Sequence, residues 1–97
     1  MKIVKSLDEL TDELTVVDFF ATWCGPCKML SPVLEGVCEE MNVELLKVDV
    51  DSARDLAMQY NISSVPTIYL FKNKKPIDIK VGYMDEDEVS EWLKKHQ

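Results

Sequence analysis

Two hydrophobic periods alternate along the 97 residues. Thr15 to Ala21 (TVVDFFA) is β-branched and aromatic, which predicts a buried strand. Val43 to Val50 (VELLKVDV) predicts a second strand, and Lys2 to Val4 a short one at the start. Thr67 to Phe71 and Ile77 to Val81 predict two more, close enough to form a hairpin. Between them the apolar spacing changes to that of helices. Leu7, Leu10 and Leu14 predict a short amphipathic helix over residues 7–14, with Ser6-Leu7-Asp8-Glu9 as its capping box. Leu30, Val33, Leu34, Val37, Cys38 and Met41 mark the longest helix, from near Cys24 or Gly25 to about Met41. Pro32 should kink it, because proline lacks the N–H and clashes with the preceding turn. Ser52 should begin a helix with Ala53, Leu56, Ala57 and Tyr60 inward. Asp85 should cap a last one carrying Val89, Trp92 and Leu93, with Lys94, Lys95 and a frayed His96 at its negative end.

The order is therefore β-α-β-α-β-α-β-β-α. Alternating strands and helices imply parallel pairing, and the final two strands an antiparallel hairpin. The expected fold is α/β, a mixed central sheet with helices on both faces, in a single domain over residues 1–97.

Charge narrows the function. Lys plus Arg number 11 against 18 for Asp plus Glu, a net charge of -7. Nucleic acid and anionic membrane surfaces are disfavoured as partners, since both are bound by clustered Lys and Arg. No apolar run approaches the roughly 18 residues of a membrane span, and the first residues lack a signal-peptide core. The expected location is cytoplasmic. Three cysteines, an odd number, do not suggest a secreted disulfide scaffold.

Trp23-Cys24-Gly25-Pro26-Cys27-Lys28 places two cysteines three apart, where a buried strand ends and a helix begins. The thiolate is the nucleophile, and the unpaired N–H groups of a helix start stabilise it, so Cys24 should ionise easily. Cys27 lies one turn deeper, within disulfide reach. Pro26 suits the first turn, where its missing N–H costs nothing. A disulfide closing so short a ring constrains the unfolded chain little, by about 2 kcal/mol, and is suited to being made and broken. The same spacing is also half a zinc site, but the remaining ligand candidates, Cys38 and His96, are poorly spaced. Cys38 lies on the apolar stripe, about 21 Å along a straight helix from Cys24, and reads as a core residue.

Taken with Val17-Asp18-Phe19, Pro32, Lys47-Val48-Asp49, Val65-Pro66-Thr67, Phe71-Lys72-Asn73 and Val81-Gly82, this motif resembles the thioredoxin family over nearly the whole chain. Gly25-Pro26 between the cysteines is similar to thioredoxins, rather than to glutaredoxins or disulfide isomerases. The resemblance implies a thioredoxin fold and a protein-disulfide reductase. In it Cys24 is the nucleophile and Cys27 resolves the mixed disulfide. Asp18, buried beneath, deprotonates Cys27, while Gly25, Pro26 and Lys47 tune the pair. Trp23, Val65, a cis Pro66 and Gly82 form the substrate groove. It also implies no bound cofactor or metal, disulfide-containing client proteins, a monomer, and a partner thioredoxin reductase that carries NADPH and FAD. Two departures stand out. Asn73-Lys74 replaces the usual Asn-Gly, which argues for a longer or different hairpin turn, and Tyr83 follows Gly82 where small residues are common. The rival functions are a glutathione-dependent, glutaredoxin-like oxidoreductase and a non-enzymatic binding subunit of the same fold.

Overall fold

A computed structural model describes residues 2–97. Five strands form one sheet: β1 (Lys2–Ile3), β2 (Thr15–Phe20), β3 (Glu44–Asp49), β4 (Thr67–Lys72) and β5 (Lys75–Val81). Three helices accompany them: α1 (Gly25–Met41), α2 (Arg54–Gln59) and α3 (Glu86–His96). The strand order is β1-β3-β2-β4-β5. β3 runs parallel to both β1 and β2, whereas β4 is antiparallel to β2 and to β5. This is the expected mixed sheet, with α1 and α3 over one face and α2 over the other.

Side-chain alternation along β2 divides the core. Val16 packs with Leu45, Ile68 and Leu70 under Leu30, Leu34 and Val37 of α1 and Val89, Trp92 and Leu93 of α3. Val17 and Phe19 point the opposite way and pack with Leu46, Val48 and Phe71 against Ala53 and Leu56. β2 is buried along almost its whole length, as the unbroken apolar run required.

The helix expected over residues 7–14 is not there. Leu7 and Leu10 pack on the α2 side of the sheet, while Leu14 is buried on the α1 side. One amphipathic face cannot serve both, so the segment turns from one side to the other. The Leu10 N–H bonds the Leu7 carbonyl, and Ser6 Oγ accepts only from the Asp8 N–H, at 3.4 Å. No capping box forms at Ser6. So short a helix is also marginal without tertiary support. The observed order is thus β-β-α-β-α-β-β-α.

α1 begins at Gly25 and continues through Pro32 to Met41, where Asn42 ends it in the left-handed conformation (φ 57°). α3 carries the capping box that Ser6 lacks. Asp85 Oδ1 accepts from the Glu88 N–H at 2.9 Å, and Glu88 Oε1 accepts from the Asp85 N–H at 3.1 Å. The hairpin turn is shorter than its composition suggested. Lys72 pairs with Lys75, and Asn73 and Lys74 both take positive φ, 54° and 65°. Those are the dihedrals of the tight primed turn that matches strand twist, and Lys74 occupies the second position despite its Cβ. His96 is not frayed either: its Nε2 lies 3.0 Å from Asp78 Oδ2.

Candidate functional site

β2 delivers the chain to the site at Ala21, which packs with Cys24 and Cys27. Cys24 is the N-cap of α1, and its Sγ accepts from the Cys27 N–H at 3.2 Å. Gly25 and Pro26 form the exposed start of the first turn. Cys24 and Cys27 are joined as a disulfide with Cα atoms 5.3 Å apart. Both are nearly buried, 5% and 3% exposed, so exposure does not distinguish them. Position does. Cys24 sits at the helix terminus, where unpaired N–H groups and the dipole favour a thiolate, while Cys27 is already inside the helix.

A second wall comes from the loop before β4. The Val65–Pro66 peptide is cis, as the family resemblance implied. The Val65 carbonyl lies 3.6 Å from Cys24 Sγ. The Pro66 carbonyl accepts from the Gly82 N–H at 2.9 Å, which ties the end of β5 to this loop. Gly82 has φ 94°, a conformation other residues rarely adopt, and the space beside its Cα is open.

Trp23 is 70% exposed, not part of the core. Its indole N–H donates to Asp51 Oδ2 at 2.9 Å. Asp51 was not evident from the sequence as a site residue. It is positioned by Asp49, whose Oδ1 accepts from the Asp51 N–H at 2.9 Å just beyond β3. Met29, Met58 and Tyr83 are further large apolar side chains left exposed.

Asp18 is buried in the centre of β2, 1% exposed, and neither carboxyl oxygen has a hydrogen-bond partner. Burial pushes its pKa up to about 6; the Lys47 charge opposes this and Glu35 adds to it. Asp18 and Lys47 are register partners on adjacent parallel strands. Yet the Lys47 ammonium donates to Ser31 Oγ, which donates to Glu35 Oε2 at 2.8 Å. Neither Ser31 nor Glu35 stood out in the sequence. Only the fold brings α1 over β3.

Cys38 is buried in the core as expected, and burial pushes its thiol up to about 12. It is no nucleophile near neutral pH. Among the described residues no group of three or more His, Cys, Asp or Glu could hold a metal ion. None of their helices is long and apolar enough to cross a membrane.

A disulfide at a helix start, with the Val65 carbonyl beside it in the loop that carries a cis proline, defines a dithiol–disulfide oxidoreductase. Comparison with known proteins agrees. The thioredoxin family model matches residues 3–95. A thioredoxin of Chlamydia trachomatis is 48% identical over 91 residues, covering 93% of this chain and 89% of the relative. One from Staphylococcus haemolyticus is 41% identical and covers 99% of both chains. The solved structure of Fasciola hepatica thioredoxin superposes with a TM-score of 0.89 at 33% identity over 100% of both chains. A mutant thioredoxin from Halobacterium salinarum gives 0.89 at 34% identity, over 98% of this chain and 88% of that one. The chain belongs to the thioredoxin family. It is a protein-disulfide oxidoreductase whose exchange centre is the Cys24–Cys27 pair.

Proposed function

We propose that the chain is a general protein-disulfide reductase with the labour divided among Cys24, Cys27 and Asp18. The Cys24 thiolate attacks one sulfur of a client disulfide, and the other client sulfur leaves as a thiolate. Cys27 then passes its proton to Asp18 and attacks Cys24 Sγ. The Cys24–Cys27 bond forms, the mixed disulfide breaks, and the second client sulfur leaves. Two electrons have moved from the protein dithiol to the client. The observation that carries this division is Cys24 at the N-cap of α1 with Cys27 one turn inside it. An unpartnered carboxyl raised to about 6 supports Asp18 as the acceptor, since such a group can take up a proton near neutrality.

Clients would bind across Trp23, Val65, Pro66 and Gly82, an extended segment pairing with backbone beside Val65. The open side of Gly82 and the tethered indole of Trp23 support this placement. Gly25, Pro26 and Lys47 tune the pair. The oxidised protein is re-reduced by a thioredoxin reductase, which supplies the FAD and draws on NADPH. We take residues 1–97 as one domain acting as a cytoplasmic monomer.

Trapping tests the assignment. Cys27→Ser should accumulate stable mixed disulfides on Cys24, whereas Cys24→Ser should trap nothing at neutral pH, both read by non-reducing electrophoresis. Equal trapping by the two variants would sink the assignment. Insulin reduction should proceed with thioredoxin reductase and NADPH. Turnover with glutathione and its reductase alone would point to the glutaredoxin-like alternative, and turnover with neither donor to a binding subunit.

A further inference from the structure

The Lys47 side chain ends in an unexpected place. It stands beside Asp18 in the parallel register, on the sheet face that α1 covers. Asp18 has no hydrogen-bond donor at either oxygen, and an ammonium is the partner a buried carboxylate needs most. Instead the Lys47 ammonium is held by three other groups. Ser31 Oγ accepts its hydrogen bond, Glu35 lies behind that hydroxyl as the acceptor of its proton, and the Phe20 ring centroid is 4.9 Å away. Ser31 and Glu35 are four residues apart on α1, so they share one helix face.

We propose that Ser31 and Glu35 are positioning residues that hold the Lys47 charge away from Asp18 and so set the pH range in which Asp18 accepts the Cys27 proton. The functional half of this rests on the reading of Asp18 given above. The hydroxyl suits the position because it accepts from the ammonium and donates to the carboxylate at once. Glu35 acts twice, drawing the ammonium toward itself and adding its own negative charge near Asp18. The other groups around Asp18 leave little else to do this. Beyond Lys47 on β3, α1 contributes Glu35 and the Cys38 thiol, and β4 places apolar Ile68 opposite. α3 packs over the same face with Val89, Trp92 and Leu93.

The test is the titration of Asp18, followed by NMR of carboxyl-labelled oxidised protein. In parallel, stopped-flow release of thionitrobenzoate from its mixed disulfide with Cys24 is recorded against pH. Ser31→Ala and Glu35→Gln should each lower the Asp18 midpoint by about half a pH unit or more, because Lys47 is freed to approach it. Ser31→Thr, which keeps the hydroxyl, should leave the midpoint at the parent value. Lys47→Met should raise it. The pH limb of thionitrobenzoate release should move with the midpoint in every variant. Alanine is a better helix former than serine, so Ser31→Ala should fold, and its thermal melt verifies this. A midpoint unmoved by Ser31→Ala overturns the proposal while leaving Asp18 as the acceptor. A midpoint that moves while release keeps the parent pH profile removes Asp18 from the resolving step and overturns the functional half.

Discussion

Asp18 and Asp78 carry the same side chain into opposite surroundings. Asp18 is sealed between α1 and the sheet with no donor at either oxygen, and burial drives its pKa up to about 6. Asp78 lies on β5, at the corner where α3 ends. Its Oδ2 accepts from the Trp92 indole N–H at 2.8 Å, its Oδ1 accepts from the Ile79 N–H at 2.8 Å, and His96 adds a third contact at 3.0 Å. Those donors, Trp92 foremost, hold it down at about 2. Asp78 is partly open to water, so the charge is desolvated little and its bonds act on the ionised form. A carboxyl that fastens two elements together is better left charged. One that must take up a proton needs a site where charge is costly. The second kind weakens the fold, and such perturbed groups cluster at functional sites, which is what the proposed role of Asp18 draws on.

The largest effect should come from Asp18→Asn. The native state holds a proton that the unfolded state has released, so stability is lost as pH rises from about 3.8 through about 6. A shift of that size costs about 3 kcal/mol once pH exceeds both values. Denaturant melts of the oxidised protein should show the variant gaining on the parent across pH 4–7. The unsatisfied amide sets the absolute offset, and only the pH dependence is diagnostic. Resolution of mixed disulfides should slow by about 10–100-fold. A stability difference flat with pH would mean that Asp18 is solvated.

Asp78→Ala should be smaller and opposite in sign. It leaves the Trp92 N–H without its acceptor in a side chain that is otherwise buried, which costs about 1–3 kcal/mol near neutrality. Because the folded pKa is depressed, the stability Asp78 contributes is present above about 3.8 and lost as pH falls through about 2. Parent and variant should therefore converge in acid. Turnover should be unaffected, and a fall in insulin reduction would show that this corner reaches the site.

His96→Gln should do least, under about 1 kcal/mol in thermal or denaturant melts, since the two side chains are 25% and 36% exposed and the contact is screened. A larger loss would make His96, rather than Trp92, the main tether of α3.

Much of this was legible along the chain, for reasons particular to each element. β2 could be read because a strand buried on both faces must be apolar throughout, which also made Asp18 conspicuous. α1 could be read from its stripe, and its start from two cysteines and a proline in the first turn. The segment 7–14 misled because helical spacing was matched by residues that serve opposite faces of the sheet. The sequence shows His96 only as a terminal helix residue, because its partner lies 18 residues earlier on a strand that packing alone brings to it.

Local chemistry therefore determined the pair at Cys24 and Cys27, the helix start on which it sits, the cap at Asp85 and the lone acid in a buried strand. These are interactions among neighbours in the chain, and their physics needs no distant partner. Only the tertiary structure decided the rest. It set the order β1-β3-β2-β4-β5, which puts Lys47 beside Asp18, and the crossing of α1, which gives Ser31 and Glu35 that lysine instead. It also brought Asp51 to Trp23, 28 residues away, and Asp78 to Trp92 and His96. Hydrogen bonds act over about 3 Å and are blind to separation along the chain, so their partners exist only once packing has chosen which surfaces meet.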